Sequence, residues 1–464
     1  MSGFRIAFVS GKLGDVDGVS LEVDKWISIL NALGHDVYTI AGFYRQPVRA
    51  VSHEKQILLP QIAFDSKEQR YYETLVFPHL TQKHTHFTER RKEDIRNELE
   101  AAGLEVGNRL YEIIQEYRID CIIAENTNAM PMSLLGGIAV HAVATMKRVA
   151  TIFHHHDFWW ERSRFCDNII ETLLNRIMPP SDLGTEHVVI SSYASHILSS
   201  IKRVNPVVIP NCEDFSSPHE RDSWNEDFRQ EMGFTEEDIL IVQPTRIVPR
   251  KRIEDSVRLV ARFKEAYPQF APHVQFIVSL YQGDELDHGY IEGIKRLARE
   301  LDVPLWLISD RIASQRTRNA QGQKLYTTRD VLVHADLATY LPVWEGFGNA
   351  FLEAVSCRVP IITTTYLVYK TDIQSVGFQA LEIRDKYDEN GLLIITDQVV
   401  QGMRTLLEDE DERKEVIEQN FLVGQQEFGF EVLERKLCEL LEGYSDEIRA
   451  SRRRLEKSLA SYSV

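Results

Sequence analysis

Short runs of aliphatic and β-branched residues alternate with amphipathic stretches along most of this chain. Phe4–Val9 reads as a strand and Gly11–Gly18 as a loop. Val19–Leu33 has the apolar spacing of a helix that ends at Gly34. Asp36–Ala41 is a second strand, and strand–helix–strand units of this kind build parallel sheets. Cys121–Ala124, Val149–Phe153, Val188–Ser191 and Val207–Pro210 continue the series, and the charged segment Gln82–Arg118 predicts helices outside the sheet. The composition turns polar over Asn211–Asp227, which marks a domain boundary, and Ile209–Phe215 there reads as a hinge. A second series follows: Ile239–Gln243, Val274–Leu280, Leu305–Ile308, Leu337–Leu341, Val359–Thr363 and Ala380–Ile383. Ile448–Ser461 is helical and basic. The expected fold class is α/β, with two doubly wound parallel-sheet domains facing a cleft. Residues 1–213 form the first domain and 214–445 the second, with 446–464 a terminal segment.

Length supports two cores, since 464 residues exceed one ordinary core. The formal net charge of −17 argues against nucleic acid as a partner. No long apolar run suggests an integral membrane segment, and the first ten residues read as a strand rather than a signal peptide. Five scattered cysteines with no CxxC pair read as reduced, mostly buried thiols of a cytoplasmic protein. Whether copies of the chain assemble is not legible.

Against this acidic background, placed positive charge is informative. Thr245–Arg252 follows the first strand of the second series and holds four cations within seven residues: Arg246, Arg250, Lys251 and Arg252. Ligands bind at that end of a strand in open α/β sheets, so Arg246 and Lys251 read as partners of a diphosphate, with Arg250 and Arg252 in solvent. Glu345-Gly346-Phe347-Gly348-Asn349 follows another strand and opens a helix bearing Glu353, eight residues after Glu345. Free amides at such a helix start cradle an anion, and the two carboxylates suit a neutral, hydroxyl-rich group beside it. The loop Ser10–Ser20, with Gly18 at its end, is a candidate phosphate or sugar contact or a plain βα turn. In His154-His155-His156-Asp157, adjacent histidines point different ways, so the reading is hydrogen bonding to sugar hydroxyls by one His and Asp157, with Trp159 and Trp160 as apolar walls and no metal. Asn126, after the Cys121 strand, either lines the acceptor side or caps a helix.

Glu345-Gly346-Phe347-Gly348 with Glu353-Ala354 and Pro360-Ile361-Ile362 resembles the E-x7-E signature of family 4 glycosyltransferases. Arg246 and Lys251 resemble that family's diphosphate-binding pair, and Val208-Ile209-Pro210-Asn211 its inter-domain segment. The resemblance implies the GT-B fold, with a terminal helix within 446–464 crossing back to the first domain, and transfer of a hexose, with retention, from a nucleoside-diphosphate sugar to a small hydroxylated acceptor. It implies no cofactor beyond that donor and no essential divalent metal. Glu353 would bind the donor ribose. Glu345 and the amides of Gly346, Phe347, Gly348 and Asn349 would hold donor sugar and phosphate. Arg246 and Lys251 would stabilise the leaving diphosphate, His156 or His155 would contact the transferred sugar, and Arg311 would lie by the nucleobase. The chain departs from the family pattern at Arg358 and at Asp17-Gly18. Within the family, Gly348–Glu353 with Asp372-Ile373 and Gly377-Phe378 looks most like enzymes that make mannosylglucosylglycerate-type solutes. Two other readings stay open: a phosphorylase of the same fold and a non-catalytic nucleotide-sugar-binding regulator.

Overall fold

The computed structural model describes residues 3–15, 17–78, 87–280 and 288–461. Val16 of the first loop and residues 82–86 of the charged segment lie outside the described residues. The chain divides into two compact units, Met1–Pro210 with Leu433–Val464, and Asn211–Val432.

The first unit is built on β1 (Arg5–Ser10), β2 (Asp36–Ala41), β3 (Gln56–Leu58), β4 (Cys121–Glu125), β5 (Ala150–His155), β6 (Glu186–Val189) and β7 (Val207–Val208). Among the described residues these form one sheet in the order β3-β2-β1-β4-β5-β6-β7, parallel throughout. Every residue of β4 and β5 is buried, and both are mainly apolar until the polar residues at their carboxyl ends. Helix Glu89–Tyr117 covers one face and packs closely on helix Leu134–Thr145. Gly103 allows that approach, because a Cβ there would lie 2.5 Å from Ile138. The segment that completes this unit begins at Leu433, before the expected 446, because Leu433, Leu437, Leu440 and Leu441 are already buried. Tyr444 Oη donates to the Gly184 carbonyl at 2.7 Å and accepts from the Thr151 amide at 3.1 Å. Helix Ser445–Ser461 then places Arg452 on Asp120 at 2.5 Å.

The second unit has β8 (Ile239–Gln243), β9 (Val274–Val278), β10 (Leu305–Leu307), β13 (Leu337–Tyr340), β14 (Ile361–Thr364) and β15 (Leu381–Ile383) in one parallel sheet, ordered β10-β9-β8-β13-β14-β15. A separate antiparallel hairpin pairs β11 (Thr317–Arg318) with β12 (Lys324–Leu325). Asn211–Glu213, read as a hinge, is buried in this unit, with the Glu213 amide donating to the Phe428 carbonyl at 2.8 Å. Strand order reverses between β1 and β4 in one sheet and between β8 and β13 in the other. Loops at the carboxyl ends of those strands diverge there and leave a crevice. Among the described residues, no helix is long and apolar enough to cross a membrane.

Candidate functional site

The loops after β8 and β13 meet at the switch point of the second sheet. The Gln243 side-chain amide, buried at the end of β8, donates to the Lys251 carbonyl at 2.9 Å, and the Val343 amide donates to the Arg250 carbonyl at 3.2 Å. These bonds set the basic loop against the glutamate loop. Glu345 Oε1 accepts from Lys251 Nζ and from the Arg250 guanidinium, each at 2.5 Å. Lys251 also lies 5.0 Å from the centre of the Tyr340 ring. Burial alone would raise the Glu345 carboxyl, but Arg250 and Lys251 more than offset it and hold the acid well below the usual carboxylate range. Burial pulls the Lys251 ammonium down even though Glu345 opposes the fall.

This arrangement corrects one expectation. Arg250 is not a solvated bystander but half-buried on Glu345, and Arg252 pairs with Asp255 at 2.7 Å. Only the spatial proximity of the two loops reveals this, and adjacent basic residues carry no such signal by themselves. Arg246 is close enough to depress the Lys251 ammonium further, and among the described residues its guanidinium has no hydrogen-bonding or ion-pair partner.

The cradle beside this pair starts at Gly348, which precedes helix Asn349–Ser356 and has φ 156°, a conformation suited to glycine. A Cβ there would also lie 2.5 Å from the Tyr366 hydroxyl. Tyr366 Oη donates to the Phe347 carbonyl at 2.7 Å and so fixes the loop from beneath. Gly348 supplies no side-chain cap, and among the described residues the amides of Gly346, Phe347 and Asn349 have no protein acceptor. Asn349 Oδ1 accepts from the Asn211 amide at 2.6 Å. Glu353 sits one helical turn further on, in the field of Arg329, whose guanidinium pairs with Glu213 at 2.5 Å. Arg311 is otherwise engaged, with Glu231 at 3.2 Å, the Lys324 carbonyl at 3.2 Å and the Tyr326 ring as its neighbours.

In the first unit the switch-point loops give a different chemistry. Asp17 caps helix Gly18–Ala32, accepting from the Val19 and Ser20 amides, and pairs with Lys12 at 3.0 Å. The amides that an anion would use beside Gly18 are therefore taken by a carboxylate. Glu125 ends β4 fully buried, and its two oxygens meet two histidines: Oε2 with His154 Nδ1 at 3.0 Å, Oε1 with His156 Nε2 at 2.5 Å. His154 stacks on Trp26 with centroids 4.4 Å apart. Asn126, at φ 54°, accepts from the His156 amide at 3.1 Å. Asp157 is paired with Arg162, and Trp159 is buried, its indole N–H donating to the Met178 carbonyl at 2.9 Å.

The three histidines separate by strand alternation. His154 and His156 turn to Glu125, while His155 turns to the opposite face, with Nε2 3.0 Å from His187 Nδ1 and its ring against Phe153 and Phe158. Burial holds His155 well below the ordinary histidine range, and burial with nearby Lys202 brings His187 to about 4. Burial would also lower His156, but Glu125 first, then Glu22 and Asp157, raise it. Glu125, His154 and His156 have the side-chain types of a zinc site, and their facing atoms lie within 4.8 Å of one another. Two ligands about 2.0–2.2 Å from a tetrahedral ion stand roughly 3.3–3.5 Å apart, however. The 2.5 Å Glu125–His156 contact is thus a hydrogen bond in length.

No protein-family model matches the chain. It is 28% identical over 445 residues to a mannosylglucosylglycerate synthase of Thermotoga maritima, covering 93% of this chain and 98% of that protein. It is 29% identical over 406 residues to a mannosylglucosylglycerate synthase of Petrotoga mobilis, covering 84% of this chain and 89% of that one. Among solved structures, WaaG, a glycosyltransferase involved in lipopolysaccharide biosynthesis, superposes with TM-score 0.59 at 15% identity, over 93% of this chain and 98% of that one. Anabaena HepE in complex with UDP and glucose does so with TM-score 0.61 at 14% identity, over 95% and 100%. Two parallel Rossmann-like sheets, the fold of these neighbours and the two synthases lead to one assignment: the chain is a glycosyltransferase with the GT-B fold.

Proposed function

We propose that this glycosyltransferase moves a hexose, with retention of configuration, from a nucleoside-diphosphate sugar to a small hydroxylated acceptor. The donor is of the GDP-mannose or UDP- or ADP-glucose type. The names of the two relatives make a glucosylglycerate the first acceptor to try, with mannose as the sugar transferred.

The observation that carries this reading is the positive cluster of the second unit. Lys251 and Arg250 share Glu345 just before a helix start with free amides, and Arg246, unpaired among the described residues, lies close enough to act on Lys251. As the bond from the anomeric carbon to the diphosphate oxygen breaks, negative charge grows on that oxygen. Arg246, Lys251 and the amides before Asn349 answer it most strongly in the transition state, so they lower the barrier rather than only tightening binding. No divalent metal is needed for that charge. The acceptor oxygen bonds to the anomeric carbon on the face the diphosphate leaves, and its proton passes to the departing phosphate oxygen. Glu345 and Glu353 are assigned to hydroxyls of the donor, and His156 to the transferred sugar.

A thermal-shift panel of GDP, UDP, ADP, their sugar conjugates and inorganic phosphate tests the donor. We expect one nucleoside diphosphate to raise Tm by several degrees and inorganic phosphate to have little effect. Stabilisation by inorganic phosphate alone favours a phosphorylase and overturns the proposal. Turnover of the matching donor with glucosylglycerate, followed by NMR of the new anomeric centre, then tests acceptor and stereochemistry. Nucleotide binding with neither transfer nor slow donor hydrolysis points to a regulator instead.

A further inference from the structure

The buried trio at the ends of β4 and β5 has more structure than a sugar contact requires. Glu125 has no solvent exposure, yet it keeps both oxygens occupied, one by each of two histidines two residues apart on β5 and just beyond it. His154 is fixed on its other side by the Trp26 ring, and the His156 backbone is fixed by Asn126. His156 therefore has its ring held at Nε2 and its amide held at the main chain. Among the described residues no protein atom bonds its Nδ1.

The geometry points to Glu125 as a positioning residue for the sugar-contacting His156. By gripping Nε2, it places the proton there, sets the ring plane and turns Nδ1 toward the substrate. The inference rests on His156 meeting the sugar, as proposed above, and adds the group that makes this histidine, rather than His154 or His155, the one prepared for it. His154 acts as the counterweight: it takes the second carboxylate oxygen and stops Glu125 from rotating away. His155 is excluded because it faces His187.

The groups facing His156 set what the grip does. Glu125 and His154 approach from β4 and β5, Glu22 from helix Gly18–Ala32, and Asp157 from the following turn. Three of the four are acids, so the imidazole is favoured as the cation. In that form Nδ1 donates to a sugar oxygen; in the neutral form with Nε2 protonated it can only accept. Catalysis that uses the donor form fades as pH rises through the folded-state pKa of His156, which lies above the ordinary 6.5.

The test is Glu125→Gln in the full chain, read by nitrogen-15 NMR of labelled histidines and by kcat and KM against pH. Glutamine keeps the volume and removes the charge. We expect the His156 titration and the alkaline limb of kcat both to move to lower pH by about one unit. We also expect kcat at neutral pH to fall at least about tenfold with donor KM little changed, and Glu125→Asp to recover part of the loss. Folding is checked by thermal melting. If Glu125→Gln does not fold, His154→Asn, which frees one oxygen of Glu125, carries the same NMR readout. An unmoved His156 titration in either folded variant overturns the inference even if His156→Ala is inactive. A fully active His156→Ala removes the contact assigned under the proposed function, a separate failure. Stoichiometric zinc in the purified protein, lost with Glu125→Gln, would make the trio a ligand set and also overturn it.

Discussion

Single residues here are best understood by what they leave behind when removed. Lys251 and Arg250 converge on one oxygen of Glu345, so either can be lost while the buried acid keeps a cation. Lys251→Ala is therefore expected to fold, with Tm within a few degrees of the parent, while kcat falls about 100- to 1,000-fold because charge on the leaving group is unmet. Removing both cations strands a buried carboxylate, which costs about 3–5 kcal/mol. The double variant should lose far more stability than the two single losses added together, and denaturant melts of all three proteins measure the difference. His187 supplies a second test at this scale. Its folded pKa of about 4 lies below the unfolded value near 6.5, so the unfolded chain binds the proton first. Its contribution is complete above about pH 6.5 and is lost as pH falls toward 4, by up to about 3 kcal/mol. His187→Phe should flatten the acid limb of the stability curve between those pH values. Arg246 and Lys251 stand out in the sequence as positive charge just after an apolar strand of an acidic chain, and Glu345 as a carboxylate beside glycine after another. Glu125 and Arg250 were harder to assign, because their roles depend on partners 29 to 31 and 95 residues away.

At the scale of elements, strands that are buried on both faces were easy to read. β4 and β8 run through apolar residues with turn residues beyond. Short pieces stabilised from outside were not. β3 has three residues and gains its place by pairing with β2, and the β11–β12 hairpin has two residues per arm in a polar stretch. Helix Asn349–Ser356 was legible because Gly-Phe-Gly stands directly before a helical apolar run. Helix packing was not, since periodicity marks an apolar face without naming its partner. Gly103 on helix Glu89–Tyr117 meets Ile138, so Gly103→Ala should overpack the contact and cost about 1–3 kcal/mol, despite alanine's better helix propensity. Gly293, on another helix, has open space where a Cβ would go, with nothing within 4 Å, so Gly293→Ala should instead gain slightly. Urea melts of the two variants separate packing from propensity.

Over the whole molecule, two alternating series of strands and helices announced two sheets, and the comparisons agree on the fold. Less legible was where the chain returns to its first unit. The apolar face of the segment from Leu433 onward looks like that of any amphipathic helix until Tyr444, Ser451 and Arg452 are seen meeting β5 and the start of β4. Tyr444→Phe deletes bonds to Thr151 and Gly184 and leaves the buried Thr151 amide unmet, so it should cost about 1–3 kcal/mol. Hydrogen exchange should find the loss in the first unit, with amides of the second unit unchanged; equal loss in both would show that the two melt as one.

That return has a consequence for biosynthesis. The first unit is built from two separate stretches, Met1–Pro210 and Leu433–Val464, whereas the second is one continuous stretch, Asn211–Val432. On the ribosome, the later-translated lobe can close while the earlier one still waits for its last helix to leave the exit tunnel. Nascent chains stalled so that residue 432 has just left the tunnel, with Leu433–Val464 still inside, should therefore resist protease in the second lobe and be cut in the first, an order of maturation opposite to the order of synthesis.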